Sequence, residues 1–321
     1  MNHSQQNPVL GFFLSLVAAA LWGVLPIALK ELLTGMEAST VVWYRFLVAG
    51  LALFGWLAWR GNLPPLLSTS NKLRALLLIA ALGLCGNYYY FSLSLNYVNA
   101  ETSEAVIQLT TLFLILGGVV FYKEPFIGIQ KLGTGLIVLG LLLFFNDRLG
   151  EFTSLDNEET IGVIIVVAAA VTWTVYALLQ KRLLKDFTSV QILFVIYCVS
   201  IIVLLPIISP QQVLQLTSFQ VGLLAFCCLN TIVAYGSFAE ALNVWDASKV
   251  SAMLALAPLF TIGTLKIIVL LNPDYAFSDR LSWLSILGAL FLIAGSALTA
   301  LMPVLSNRRA RQDESARVNA N

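Results

Sequence analysis

The chain has 321 residues, of which 59% are hydrophobic and only 11% are charged. Soluble globular proteins carry about 25% charged residues, and a mean hydropathy of +0.87 is more than a water-soluble fold of this size could hide. Lipid must therefore be the solvent for most of the surface, and we predict an all-α integral membrane protein. The net charge of +1 gives no indication of a nucleic-acid partner, and we expect none.

Ten apolar runs follow one another along the chain, each close to the about 20 residues that a membrane-spanning helix needs. Polar or helix-breaking clusters separate them, for example at residues 61–65 and 272–274. The runs are too long for strands and do not alternate with a period of two residues, so a β-barrel is disfavoured. The first run is long and lacks a basic region before it, so we interpret it as a retained span rather than a signal peptide. The predicted spans are 10–31, 39–59, 73–95, 100–121, 129–146, 161–180, 189–208, 219–241, 247–271 and 281–304.

Basic residues of the loops predict the orientation. If the N-terminus is cytoplasmic, twelve basic residues fall on the cytoplasmic side and three, Lys30, Arg148 and Arg280, fall on the other side. This positive-inside bias places both termini in the cytoplasm. The twelve are Arg60, Lys72, Arg74, Lys123, Lys131, Lys181, Arg182, Lys185, Arg308, Arg309, Arg311 and Arg317.

The two halves of the chain resemble each other. Gly11 and Trp22 align at a constant offset with Gly162 and Trp173. Each half contains five predicted helices, and an odd number makes the second half enter the membrane in the opposite orientation. Two inverted five-helix repeats are typical of secondary transporters. Further blocks align Leu95-Asn96 with Leu242-Asn243, Leu109 with Leu256, and Gly133 and Gly140 with Gly288 and Gly295. We therefore divide the chain into a cytoplasmic tail (1–9), a first repeat (10–148), a periplasmic linker (149–160), a second repeat (161–304) and a basic cytoplasmic tail (305–321).

Short motifs along these helices resemble the drug/metabolite transporter superfamily, of the EamA type. They are Ala20-Leu21-Trp22-Gly23, Arg45-Phe46, Asn96 to Ala100, Lys123-Glu124-Pro125, Glu240-Ala241-Leu242, Ala247 and Pro258. The resemblance covers about residues 10–304 and implies a bacterial inner-membrane carrier of small metabolites, often amino acids or drug-like compounds. One departure is that Lys123-Glu124 closes helix 4 while the matching stretch of helix 9 is apolar, so a symmetric acidic gate is not available.

The resulting hypothesis is a secondary transporter of small organic metabolites that works by alternating access, and we expect it to be an exporter. The alternatives are a membrane-embedded lipid-processing enzyme and a membrane partner protein that transports nothing. The sequence contains no Walker loop, Gly-rich nucleotide loop or Gly-x-Ser-x-Gly elbow, and its only histidine is His3. Its four cysteines lie in apolar runs without metal-ligand spacing. We therefore expect no cofactor, no metal and no catalysis, while substrate, coupling ion and oligomeric state stay open.

Helix 4 carries a polar stripe at bilayer depth. Glu101, Glu104, Gln108 and Thr111 are spaced by three, four and three residues and so share one helical face. Such a stripe is either a helix N-terminus at the interface, where acids suit the macrodipole, or the lining of a transport cavity. We expect Glu104, which lies a turn deeper than Glu101, to take part in proton coupling or substrate binding.

Other polar and aromatic residues inside the spans are candidates for the same cavity. They are either interhelical packing residues or the walls of an amphipathic pocket that stacks on apolar substrates and holds their polar ends. For Arg45 in helix 2 we favour a structural ion pair over substrate contact. The cavity candidates are Trp22, Asn87, Tyr90, Glu104, Gln108, Trp173, Tyr176, Asn230 and Tyr235.

Overall fold

The structure, a computed structural model, describes residues 7–123, 125–148, 150 and 156–300. Within these ranges the chain folds into α-helices, joined by short segments. Two short 3-10 helices, Leu205–Ile207 and Pro210–Gln215, follow the eighth α-helix. The α-helices are α1 (Pro8–Leu32), α2 (Ala38–Trp59), α3 (Asn71–Ser94), α4 (Ala100–Ile107), α5 (Leu109–Tyr122), α6 (Gly128–Phe144), α7 (Glu158–Leu183), α8 (Ser189–Leu204), α9 (Ser218–Val244), α10 (Ala247–Leu254), α11 (Ala257–Leu271) and α12 (Trp283–Ala300).

Nine helical stretches of the described chain are long and apolar enough to cross a membrane. The fifth predicted span, 129–146, corresponds to α6, which has only 17 residues and is about 26 Å long at 1.5 Å per residue. The described residues therefore contain nine full-length spans and one shorter apolar helix, where the sequence predicts ten spans. The end of the last predicted span, both tails beyond residue 7 and residue 300, and most of the predicted linker lie outside the described residues.

Large apolar side chains cover the outside of the helix bundle. Phe121 and Trp283 are both 74% exposed, and Leu270 is 80% exposed. An apolar patch of this extent would be unusual on a soluble monomer, whereas lipid tails solvate it at no cost. The outward-facing side chains thus agree with the membrane environment that the composition predicts.

Two of the predicted spans, 100–121 and 247–271, each consist of two consecutive helices with a break between them. Gln108 separates α4 from α5, and Ala255 and Leu256 separate α10 from α11. Pro258 lies in the first turn of α11, where its missing N–H has no intrahelical partner to lose. Since Leu109 aligns with Leu256, both breaks occur at equivalent points of the two halves.

The loops gather at two ends of the bundle. At one end Asn7 donates its backbone N–H to Val244, and the Gln191 side chain bonds to Asn62. At the other end the Gln220 side chain donates to Thr34. We call the first, which carries Arg60, Lys72 and most of the other described basic loop residues, the basic end. We call the second, which carries Glu37, Asp274, Asp279 and their acidic neighbours, the acidic end.

Contacts between the two halves come in matched pairs. Helix α3 packs against α7 as α1 packs against α9, and α3 packs against α8 as α9 packs against α2. Likewise α5 and α4 contact α7, while α11 and α10 contact α1. These contacts between the halves therefore keep their pattern when the first half is exchanged for the second.

Helices α6 and α12 meet through four glycines. A Cβ atom at Gly133 would lie 2.8 Å from the carbonyl oxygen of Gly295, and one at Gly140 would lie 2.8 Å from that of Gly288. Real Cβ atoms do not approach so closely, so only glycine allows the two backbones to come together. The two contacts are also reciprocal. Gly133 aligns with Gly288 and contacts Gly295, whereas Gly140 aligns with Gly295 and contacts Gly288.

Candidate functional site

A buried arginine lies among tyrosines in the interior of the bundle. Arg45 is 3% exposed, its Nε donates to Thr231 Oγ1 at 3.0 Å, and its guanidinium carbon lies 4.5 Å from the centre of the Tyr88 ring. In the described part of the chain no carboxylate lies within ion-pair distance of it, and its two terminal nitrogens have no hydrogen-bond partner. The predicted structural ion pair is therefore wrong for the described residues, since a hydroxyl and an aromatic face surround this cation instead.

Aromatic rings surround this arginine. The Tyr88 ring lies 4.8 Å from Phe46, Phe46 lies 5.3 Å from Tyr197, and Tyr88 stacks on Tyr235 at 6.5 Å. The Tyr88 hydroxyl also makes polar contacts with Tyr197, Tyr235 and Thr231. We call Arg45, Phe46, Tyr88, Tyr197, Thr231 and Tyr235 the Arg45 cluster.

The tertiary fold assembles the Arg45 cluster from four helices. Helix α2 contributes Arg45 and Phe46, α3 contributes Tyr88, α8 contributes Tyr197, and α9 contributes Thr231 and Tyr235. Arg45 and Thr231 are 186 positions apart in the sequence. The cluster therefore depends on the cross-half contacts of α2 and α3 with α8 and α9, and any motion of one half against the other would change it.

Several predicted cavity residues adjoin the Arg45 cluster. Trp22 packs against Tyr235 with ring centres 5.2 Å apart. Tyr176 lies in the same buried core as Tyr88 and Tyr197, and Trp173 packs against that core. Four of the nine predicted residues, including Tyr235 itself, are thus brought to one region of the structure.

The predicted asparagines tie helices together across the halves. The Asn87 amide donates to the carbonyl of Ala169 at 3.0 Å, and the Asn230 amide donates to that of Leu21 at 2.7 Å. The Oδ1 atom of Asn230 is buried and has no partner among the described residues. Tyr90, by contrast, is 36% exposed and lies beside Tyr89, so it lies away from the buried cluster.

Glu104 and Gln108 occupy a different region, in α4 and at its break. Glu104 is 7% exposed and has no hydrogen-bond or ion-pair partner among the described residues. Gln108 accepts a hydrogen bond from Ser296 of α12 at 3.3 Å. No described hydrogen bond or ring contact joins either residue to the Arg45 cluster. The predicted site therefore falls into two groups, one aromatic and one containing a lone buried carboxyl group.

A polar network closes the acidic end beside α4. The Glu101 carboxylate accepts from Ser278 Oγ at 2.7 Å, and Asp279 accepts from Asn99 at 3.0 Å and Thr102 at 2.7 Å. Arg148 forms an ion pair with Glu159 at 2.6 Å and lies 3.8 Å from Asp279. These bonds join the start of α4 to the segment between α11 and α12, so they hold the two halves together at this end.

Two further groups lie at the acidic end. Lys30 donates to the carbonyl oxygens of Leu95 and Val98, which agrees with a cation held at a helix terminus. Burial and the nearby Glu31 carboxylate raise the pKa of Tyr275.

A cleft of about 500 Å³ lies between residues that include Met36, Asn96 and Gln212, and another of about 270 Å³ is lined by Glu101, Lys266 and Ser278 among others.

Sequence reasoning missed part of the Arg45 cluster. Tyr88, Tyr197 and Thr231 are not among the cavity candidates that the sequence predicts. The available signal was a hydroxyl-bearing aromatic side chain inside an otherwise apolar helix, as in α8. Such a hydroxyl needs a buried polar partner, which points toward a polar site in the interior.

Apolar spans, matched contacts between the halves and buried polar groups at helix interfaces define a multi-pass membrane protein. The chain belongs to the EamA-like transporter family, whose model matches residues 9–146 and 160–301. The family resemblance inferred from the short motifs is thereby confirmed, and the two matched segments agree with a division of the chain into two homologous halves.

Relatives extend along almost the whole chain. An uncharacterized transporter of Haemophilus influenzae is 40% identical over 297 residues, which cover 92% of this chain and 96% of the relative. An uncharacterized inner membrane transporter of Escherichia coli K12, YhbE, is 39% identical over 298 residues, with 92% and 93% covered. A solved crystal structure superimposes with a TM-score of 0.62 at 16% identity, covering 91% of this chain and 96% of that one, and this likeness concerns the fold alone.

Proposed function

We propose that the protein is a secondary transporter that exports small organic metabolites, such as amino acids or drug-like compounds, by alternating access. It would lie in the bacterial inner membrane with both termini in the cytoplasm. Family membership supports transport as such, and the inner-membrane name of the Escherichia coli relative supports the location. Substrate class, direction and mechanism are parts of the proposal.

The observation that carries the mechanism is the matched contact pattern of the two halves. Helices α1 and α3 exchange roles with α7 and α9, and the fourth span of each half is broken at an equivalent point. Two halves of inverted topology can exchange their conformations, so that one arrangement opens a central site inward and the other opens it outward. Broken helices near the centre free backbone groups that can bind substrate or ions.

Within this mechanism we assign two roles. The aromatic residues Trp22, Trp173, Tyr176 and Tyr235 would form the substrate pocket, with Asn87 and Asn230 at the helix interfaces that border it. Glu104 would exchange the coupling proton, because it has no fixed counter-ion among the described residues and an unpaired charge at that depth is costly. Gln108, at the break between α4 and α5, would change its contacts when Glu104 gains or loses the proton.

Solute flux through purified protein tests the proposal. The full chain, reconstituted in liposomes without any auxiliary protein, should move labelled amino acids or drug-like compounds down an imposed gradient, and a proton gradient should accelerate the movement. Protein-free liposomes are the control. If the protein turns over lipid, or a broad panel of solutes shows no flux above that control, the transporter proposal is wrong.

A further inference from the structure

The Arg45 cluster contains a positive charge for which the described protein provides no negative partner. Arg45 is 3% exposed, and its Nε bonds to a neutral hydroxyl. Its guanidinium lies over the Tyr88 ring at 4.5 Å, while the acidic residues that form ion pairs at the acidic end are bound to Arg148. A buried cation in a membrane protein is normally paired with an acid, a carbonyl or a mobile anion.

The terminal nitrogens of Arg45 are the groups available to such an anion. Neither forms a hydrogen bond with a described residue. Both nitrogens therefore keep N–H donors that no described acceptor occupies. The planar guanidinium fork matches a carboxylate through two parallel hydrogen bonds.

The side chains around the Arg45 guanidinium favour an anion whose uncharged part is aromatic or apolar. Phe46, Tyr88, Tyr197 and Tyr235 form a continuous set of rings, which Trp22 extends toward α1. Flat aromatic faces suit an aromatic or apolar group better than a hydrated inorganic ion. Arg45 is also about 10 Å from the start of α2 at 1.5 Å per residue, which is well inside the span.

We infer that the transported substrate is an organic carboxylate with an aromatic or apolar body, whose carboxylate binds Arg45 while its body packs against Tyr88, Tyr235 and Trp22. This inference rests on the proposed transport function and narrows its substrate class. Arg45 then acts as a binding residue, and the substrate supplies the counter-ion that the described protein lacks.

Three probes with one body test the charge preference. The probes are 3-phenylpropanoate, 3-phenylpropanamide and 3-phenylpropan-1-amine, which differ only in carrying a negative, neutral or positive end at pH 7.5. Binding to the purified full-length protein is measured by tryptophan fluorescence and by the shift in melting temperature, with sodium acetate and sodium sulfate as small-anion controls. We expect the carboxylate to bind at least tenfold more tightly than the amide or the amine, and more tightly than either small anion. Equal binding of the amide or the amine, or no binding of the carboxylate, would overturn the inference.

Substitutions then separate a binding role from a structural one. Arg45→Gln should weaken carboxylate binding at least tenfold and leave amide binding unchanged, and Arg45→Lys should give an intermediate loss because a charge without the fork remains. Lys72→Gln removes the same charge at an exposed site and should behave as the wild type. If Arg45→Gln does not fold, Thr231→Val removes the partner of Nε and should reduce the preference for carboxylate severalfold. Unchanged preference in these variants means that Arg45 is only structural and refutes the inference.

Transport of the same probes keeps the two proposals apart. Labelled 3-phenylpropanoate that binds but does not cross reconstituted liposomes supports the inference about the site and counts against the proposed transport function. Movement of the amine or the amide, without the carboxylate, supports transport and refutes the inference. Movement of the carboxylate that is lost in Arg45→Gln and kept in Lys72→Gln supports both.

Discussion

Arg45 shows how a single intramembrane charge depends on its surroundings. The sequence places it in an apolar span, where an ion pair is the usual solution. The structure instead gives it a threonine hydroxyl and a tyrosine face, which lower the cost of burial without neutralising the charge. Glu104 is the acidic counterpart, since it is buried and has no described partner. At the residue scale, both are buried side chains that form no ion pair with a described residue.

For Glu104 we predict a role in coupling. Glu104→Gln keeps the shape and polarity of the side chain but cannot exchange a proton, so transport driven by a proton gradient should disappear while exchange of substrate against substrate persists. Flux in reconstituted liposomes, with and without an imposed pH gradient, measures both. Glu158→Gln, which changes an exposed acid at the start of α7, is the matched control. Gradient-driven transport that survives in Glu104→Gln would refute the role.

The aligned tryptophans give a second prediction at this scale. Trp22 packs against Tyr235 and Phe238, and Trp173 packs against the core that contains Tyr176. If each faces the substrate path, truncation to Ala should weaken substrate binding by about 1–3 kcal/mol, the scale of one large buried side chain. Melting temperature and ligand affinity of both variants are measured together. Variants that melt earlier yet bind normally would identify both tryptophans as packing residues.

At the scale of helices, breaks within a span and close contacts between helices determine which spans can change conformation. Helices α4 and α10 are short segments that continue, after a break, as α5 and α11. Helices α6 and α12 are held together by reciprocal glycine contacts. The broken spans can adjust around a site, whereas the glycine contact holds the fifth helices of the two halves in fixed register, because any added side chain would collide with backbone.

Substitution of Gly140 tests that contact. A Cβ there would meet backbone atoms of Gly288 and Leu292 below 3 Å, so Gly140→Ala should lower the free energy of unfolding by about 1–3 kcal/mol, the typical cost of overpacking. Gly135→Ala in the same helix meets nothing within 4 Å and should be neutral or slightly stabilising, since alanine favours helix over glycine. The melting temperatures of the two variants in detergent measure this difference in stability. Equal melting of the two variants would mean that the helices separate at little cost.

At the scale of the whole molecule, the two ends differ in charge and in closure. The acidic end joins both halves through Glu101, Asp279 and their partners, and most of the described basic residues of the loops gather at the other end. Under the proposed topology the acidic end faces the periplasm. Under the proposed mechanism, opening toward that side would require the bonds between α4 and the segment before α12 to break.

Accessibility to an impermeant thiol reagent tests that topology. Leu67→Cys lies in a loop at the basic end, where Leu67 is 99% exposed, and Asp274→Cys lies in an exposed loop at the acidic end. In intact cells, with the four native cysteines replaced, only Asp274→Cys should react from outside, and both should react after permeabilisation. Labelling of Leu67→Cys alone in intact cells would reverse the orientation.

The sequence by itself determined the membrane class, the approximate spans, the likeness of the halves and the family, because hydropathy, loop charge and short motifs are local properties. It could not place Arg45 beside Thr231, 186 positions away, or separate Glu104 from the aromatic residues, because both depend on how the two halves pack. The helix break at Gln108 also escaped prediction, since an apolar run has the same hydropathy whether or not its backbone is continuous. Tertiary structure decides these features because, inside a membrane, buried polar groups are stabilised by partners from distant helices.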